Sequence, residues 1–191
     1  MHAFAMTAVV GLMAMSGGAQ LPPGVTDTST QQQGGERVLQ QSIDIAAPPA
    51  CVWRGLTDEA GIKAFGMAVA HVELRNGGLI EEGFRPDAKM GGSETIRHRI
   101  IAYLPERLLV LRNEATPPGL PHAELYRNVV QIVSVEPQGG DGHSRFTISH
   151  TGYGAGAEYD QLYRFFAQGN PSYLTAMKAF CEGKSAPSSA R

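Results

Sequence analysis

Tyr153–Gly183 reads YGAGAEYDQLYRFFAQGNPSYLTAMKAFCEG. Tyr159, Leu162, Tyr163 and Phe166 recur at i, i+3, i+4 and i+7, the spacing of one helix face. Gly169 interrupts that run. Asn170 suits a helix N-cap and Pro171 a first helical turn, so a second helical stretch is expected after them. Its stripe is Tyr173, Leu174, Met177, Phe180 and Cys181, and Gly183 can end it. Seven of the 14 aromatic residues of the chain (one Trp, six Tyr, seven Phe) fall between Tyr153 and Phe180. So aromatic a surface needs a large partner to bury it.

The partner is legible upstream. Residues 68–74, 79–84, 94–103, 108–115, 126–136 and 144–151 read as strands, separated by Gly77-Gly78, Gly91-Gly92, Pro105 and Gly139-Gly140. Gly pairs permit the positive φ of tight hairpins, so the order is that of an antiparallel meander. Before it come a strand at 38–45 and two short helices. Pro49 opens the first helix, whose stripe is Val52, Trp53 and Leu56. Thr57 is positioned to cap the second. The expected fold is α+β: a curved antiparallel sheet wrapped around a C-terminal helix, with two short helices after the first strand. Such a sheet leaves an interior cavity, a usual place for a ligand.

The charges are 16 Lys+Arg against 18 Asp+Glu, and none lies before Asp27. A near-neutral balance gives no electrostatic case for nucleic acid. Residues 1–19 hold an apolar stretch, Ala3–Met15, too short for the ~20 residues of a membrane span. With small residues after it, the expectation is a signal peptide, a periplasmic or secreted protein, and no stable membrane insertion of the mature chain. No Lys or Arg precedes the apolar stretch. Residues 20–36 have a linker composition and 185–191 form a polar tail. The foldable domain is then 37–184, long enough to bury roughly 70% of its chain surface. Cys51 and Cys181 can pair in an oxidising compartment or remain buried thiols; the residues leave both open. No Cys/His cluster suggests a structural zinc.

The order of several short motifs resembles the START-related, Bet v-like SRPBCC superfamily, in the branch of heat-shock chaperone ATPase activator homologues. The resemblance spans residues 38–183. It rests on Ile45-Ala46-Ala47-Pro48 running into Val52-Trp53 and Leu56-Thr57-Asp58, on Leu74-Arg75-Asn76-Gly77-Gly78, and on residues 101–108 (IAYLPERL). His150-Thr151-Gly152-Tyr153 and residues 165–170 (FFAQGN) complete it. Phe65 stands where many relatives carry Trp. The resemblance implies a helix-grip fold with an interior pocket.

Candidate ligand-binding residues follow from strand parity and helix stripes. His98 alternates with Ile96 and Ile100, and His150 with Phe146 and Ile148, so both are expected to face inward. Arg112 alternates with Leu108 and Val110. Facing inward, it would need Glu94, Glu114 or Glu124, or a ligand carboxylate; facing outward, it is solvated. Trp53, Phe84, Tyr126, Tyr173 and Met177 can line a pocket or serve as plain core. His122, in the Pro-rich loop, is placed near the entrance. No nucleophile elbow, P-loop or dinucleotide fingerprint occurs, and no cofactor is implied. Glu81-Glu82 cannot form a carboxylate dyad, because strand neighbours face opposite ways. The residues favour an exported protein binding a small apolar or aromatic ligand, and they lean against catalysis. The alternatives are a polyketide cyclase/dehydrase-like enzyme using the same cavity and a chaperone-activator-like interaction domain.

Overall fold

The computed structural model describes residues 20–31, 36–64, 66–140 and 142–184. The expected signal segment, Phe65 and the C-terminal tail lie outside these residues. The element order is β1 (Val25–Asp27), β2 (Thr30–Gln31), β3 (Arg37–Ile45), α1 (Pro49–Thr57), α2 (Glu59–Ala64), β4 (Val69–Val72) and β5 (Leu79–Gly83). Then follow β6 (Ile96–Leu104), β7 (Leu108–Ala115), α3 (Ala123–Tyr126), β8 (Val130–Pro137), β9 (Ser144–Tyr153) and α4 (Ala157–Cys181).

All strands belong to one antiparallel sheet in the order β1-β3-β9-β8-β7-β6-β5-β4, with β2 also on β3. The meander β4 to β9 is the expected one, and α4 packs on β3, β9 and α1. The fold is therefore the expected α+β helix-grip.

Local details differ from the sequence expectation for identifiable reasons. The stretch read as a linker adds two strands. Val25, Thr26 and Asp27 pair with Ile43, Ser42 and Gln41. Polar composition did not announce them, because an edge strand lying half in water needs little apolar surface. Asp58, not Thr57, caps α2: its Oδ1 accepts the Ala60 N–H at 3.0 Å. Thr57 Oγ1 instead donates to the Trp53 carbonyl at 2.8 Å. Tyr126, read as the start of a strand, ends the short helix α3.

The C-terminal segment is one helix of 25 residues, not two. A proline within a helix removes an N–H and leaves the carbonyl four residues back without its partner. Pro171 would orphan Ala167 in this way. Gln41, buried on β3, supplies the missing donor: its Nε2 reaches the Ala167 carbonyl at 3.2 Å and Asp27 Oδ2 at 2.9 Å. A glutamine in the middle of a buried strand thus lets the helix run through the proline.

Cys51 on α1 and Cys181 at the end of α4 form a disulfide, with Cα atoms 5.8 Å apart. It ties the start of the domain to its last helix. The core has two parts. One gathers Trp53, Ile100, Val135, Phe146, Leu174 and Met177. The other gathers Leu39, Tyr126, Val129, Tyr153 and Leu162. The helix α4 contributes to both, one at each end.

Candidate ligand-binding cavity

Between those two clusters, sheet and helix leave open space beside the Asn170–His150 contact. The space is a cavity of ≈ 690 Å³. Its sheet wall comes from the inward positions of five consecutive neighbours: Ile80 and Glu82 on β5, Ile96 and His98 on β6, Leu109 and Leu111 on β7, Gln131 and Val133 on β8, Ile148 and His150 on β9. The helix wall is Phe166, Gly169, Asn170 and Tyr173. The mouth lies between Phe84 and Arg85, the loop 116–120, and Phe165. Phe84 and Phe165 are exposed there, at 57% and 43%.

The wall is apolar except for Glu82, Arg85, Glu94 and one polar band. His98 and Tyr126 meet through Nε2 and the hydroxyl at 3.2 Å, and the Tyr126 hydroxyl donates to Gln131 Oε1 at 3.2 Å. With its proton given to Gln131, the Tyr126 oxygen can only accept, so His98 donates from Nε2. Gln131 lies opposite His150 in the β8–β9 register. Asn170 Nδ2 approaches His150 Nδ1 at 3.5 Å, which leaves the His150 proton on Nε2. That Nε2 is buried and finds no partner among the described residues. The Phe166 ring stands between the two, 4.6 Å from both the Tyr126 and His150 rings, centroid to centroid.

Burial sets the charge states. It pushes His98 down to about 4 and His150 down to about 3, the latter helped by proximity to His98. Both imidazoles are neutral at pH 7. Burial raises Glu82 to about 7, and it raises Tyr126 and Tyr173 well above the phenol range. Glu82 forms no ion pair among the described residues. Its neighbour Glu81 faces the other way, as strand geometry requires, and accepts from the Gly91 N–H and Thr95 Oγ1, both at 2.6 Å. It pins the β5–β6 loop.

Of the expected ligand residues, the cavity brings together Phe84, His98, Tyr126, His150 and Tyr173. It does not include Trp53, Met177 or Arg112. Trp53 is core, its ring 6.4 Å from that of Tyr103, and Met177 is fully buried in the same cluster. Arg112 is exposed. The first four residues of β7 are Leu108-Leu109-Val110-Leu111, apolar on both faces, so parity could be read either way. Leu109, Leu111 and Asn113 are the buried set, which turns Arg112 outward. Glu114 pairs with Arg99 at 2.7 and 2.9 Å. His122 lies outside the cavity wall and reaches Gln161 Oε1 at 2.8 Å.

Sequence reasoning missed Glu82, Gln131 and Asn170. For Glu82 the signal was present: it shares its strand parity with the apolar Ile80. Gln131 and Asn170 carried none, since a single amide on a strand or helix is ordinarily solvated. Among the described residues no cluster of His, Cys, Asp and Glu could hold a metal ion, and no helix is long and apolar enough to cross a membrane.

A sheet gripping one long helix over a cavity defines a protein of the SRPBCC superfamily. The model of the family described as polyketide cyclase / dehydrase and lipid transport matches residues 36–171, and the chain belongs to that family. Among solved structures it is similar to protein MLL2253 from Mesorhizobium loti (16% identity, 78% of this chain and 99% of that one, TM-score 0.59). It is also similar to CalU16 from Micromonospora echinospora (18%, 85% and 86%, 0.57). A third is the Aha1 dimer from Colwellia psychrerythraea (15%, 78% and 98%, 0.59). At these identities the likeness is one of fold. No curated protein matches the chain.

Proposed function

We propose that the chain binds a small, largely apolar or aromatic molecule in the cavity, with one polar group of that molecule set against the His98–Tyr126–Gln131 band. The observation that carries this reading is the cavity itself. Its ≈ 690 Å³ falls within the usual range for small-molecule sites, and its walls are apolar with a few convergent polar groups. The test is native mass spectrometry of the protein purified from its own host, followed by titration with fluorescent lipids and aromatics. Co-purifying or titrating small molecules are expected. A protein that carries none and takes up none would overturn the reading.

The same proposal places the protein outside the cytoplasm. The Cys51–Cys181 disulfide supports it, because such bonds persist in oxidising compartments. The apolar stretch Ala3–Met15 supports it as a cleavable export signal. The mature N-terminal sequence and the cell fraction check both at once: an intact Met1 in a cytoplasmic fraction would refute export.

A second reading is catalysis of the cyclase or dehydrase kind. It is favoured by Glu82 and His98 sharing one wall, with Glu82 shifted to about 7, where a general acid or base works well. Unchanged turnover of a recovered substrate by both Glu82→Gln and His98→Ala would remove it. The likeness to the Aha1 dimer supports only a shared fold, so chaperone activation is the weakest of the three.

A further inference from the structure

Glu82 is a carboxyl on an inward strand position, flanked by Ile80 and facing Ile96 across the β5–β6 pair. Placing an acid in such a wall without a partner costs free energy. No Lys or Arg among the described residues forms an ion pair with it. The one cationic side chain of the wall, Arg85, is at the mouth and is engaged by Asp87 through Nε and Nη2 at 3.0 and 2.8 Å. The histidines of the wall, His98 and His150, are kept neutral by burial. The remaining charged group is Glu94, a second acid. An anionic ligand would therefore meet two carboxyl groups, and among the described lining residues one cation, at the mouth and already paired with Asp87. Around Glu82 the wall is aromatic: Tyr126 and Tyr173 lie close enough for its charge to disfavour their ionisation, and Phe166 packs on Tyr126. A carboxylate among aromatic side chains suits a protonated amine, which gains an ion pair and an apolar surround for its body.

We infer that the cavity selects an organic cation, an amine carried on an aromatic or apolar body, with its nitrogen seated against Glu82. The inference rests on the reading of the cavity as a ligand site. The amine head satisfies Glu82, the body fills the space between the sheet and Tyr173, and the His98–Tyr126–Gln131 band is left to a second polar group. Carboxylate-bearing molecules of the same shape are disfavoured by the like charge of Glu82.

The experiment uses three probes of one shape: pyrenemethylamine, pyrenemethanol and pyrenecarboxylate. Each is titrated into the full chain at pH 7.5 and followed by pyrene fluorescence. The amine is expected to bind about tenfold or more tighter than the alcohol, the scale of one charge-assisted contact. The carboxylate is expected to bind weakest. In Glu82→Gln the amine and the alcohol should come within about threefold of each other. Glu82→Asp, which keeps the charge, should retain a preference for the amine, and circular dichroism confirms that each variant is folded. Equal binding of the three probes, or an amine preference that survives in Glu82→Gln, overturns this inference and leaves the cavity reading standing. Binding of none of the three overturns both.

Discussion

The opposed shifts of His98, His150 and Glu82 make a sharp prediction about stability against pH. A histidine whose folded pKa is depressed is neutral in the fold and protonated in the unfolded chain over the interval between the two values. His98 covers the interval from about 4 to 6.5 and His150 from about 3 to 6.5. Over that interval the unfolded state binds more protons, so acidification destabilises the fold. Glu82 works the other way. Its folded value is about 7 against 4.5 unfolded, so between those limits the fold holds the proton. Acidification through that window stabilises the fold. Near pH 5.5 the two histidines take up nearly two protons on unfolding and Glu82 releases nearly one. The net uptake is about one proton, a slope of about 1 kcal/mol per pH unit. Removing the Glu82 titration with Glu82→Gln leaves nearly two protons and roughly doubles the slope. Urea unfolding between pH 5 and 6, with both proteins analysed at matched slopes in denaturant, measures the difference. Other titrating groups cancel in the comparison. Parallel slopes for the two proteins would refute the claim that Glu82 is held protonated in the cavity wall.

Four further outcomes are expected. Replacing both Cys51 and Cys181 by Ser should cost roughly 2–5 kcal/mol, because the bond spans a sequence separation of 130 residues, and oxidised wild type under the same thermal scan is the comparison. Gln41→Leu should cost about 1–3 kcal/mol in urea unfolding, because the Ala167 carbonyl beneath Pro171 loses its donor. Gly169→Ala should be neutral or stabilise by up to about 1 kcal/mol, since an added Cβ meets nothing within 4 Å and the backbone there is helical. Gly61→Ala should destabilise, because its Cβ would come to 2.4 Å from the Arg54 carbonyl oxygen at the α1–α2 junction.

The fold was legible because its signals are periodic and repeated. Six strands separated by Gly or Pro, followed by an aromatic stripe at helical spacing, admit few packings. The pieces that were not legible depend on a single long-range partner. Gly169 and Pro171 both argue for a break, and only Gln41, 126 residues away from Ala167 in sequence, overrides them. Residues 25–27, Val-Thr-Asp, become a strand because β3 offers an open edge there. In the site, His98 and His150 were readable from parity, as was the inward side of β9. Arg112 was not, because an all-apolar run ahead of it carries no alternation to read. Cys51 and Cys181 share no local pattern at all; their approach follows from α1 crossing the end of α4.

The same helix explains why a hollow can persist in so small a domain. Leu162 near one end of α4 and Leu174 and Met177 near the other are fully buried, each in its own apolar cluster. Between them the residues that face the sheet are Phe166, Gly169, Asn170 and Tyr173. Gly169 brings no side chain, and Asn170 brings a polar one that engages His150. Neither supplies the apolar volume that would join the two clusters into one. The helix is therefore packed through large apolar side chains near its ends, and tied at one end also by the disulfide, while at Gly169 it leaves open space toward the cavity. Stability comes from large apolar side chains toward the ends of α4, and the Gly169–Asn170 step at its centre leaves the space for binding. On this division, enlarging Gly169 to Leu should leave the unfolding midpoint near that of Gly169→Ala while reducing uptake of a pyrene-sized probe several-fold. Loss of the fold in Gly169→Leu, rather than of the probe, would mean that the middle of α4 is packed core after all.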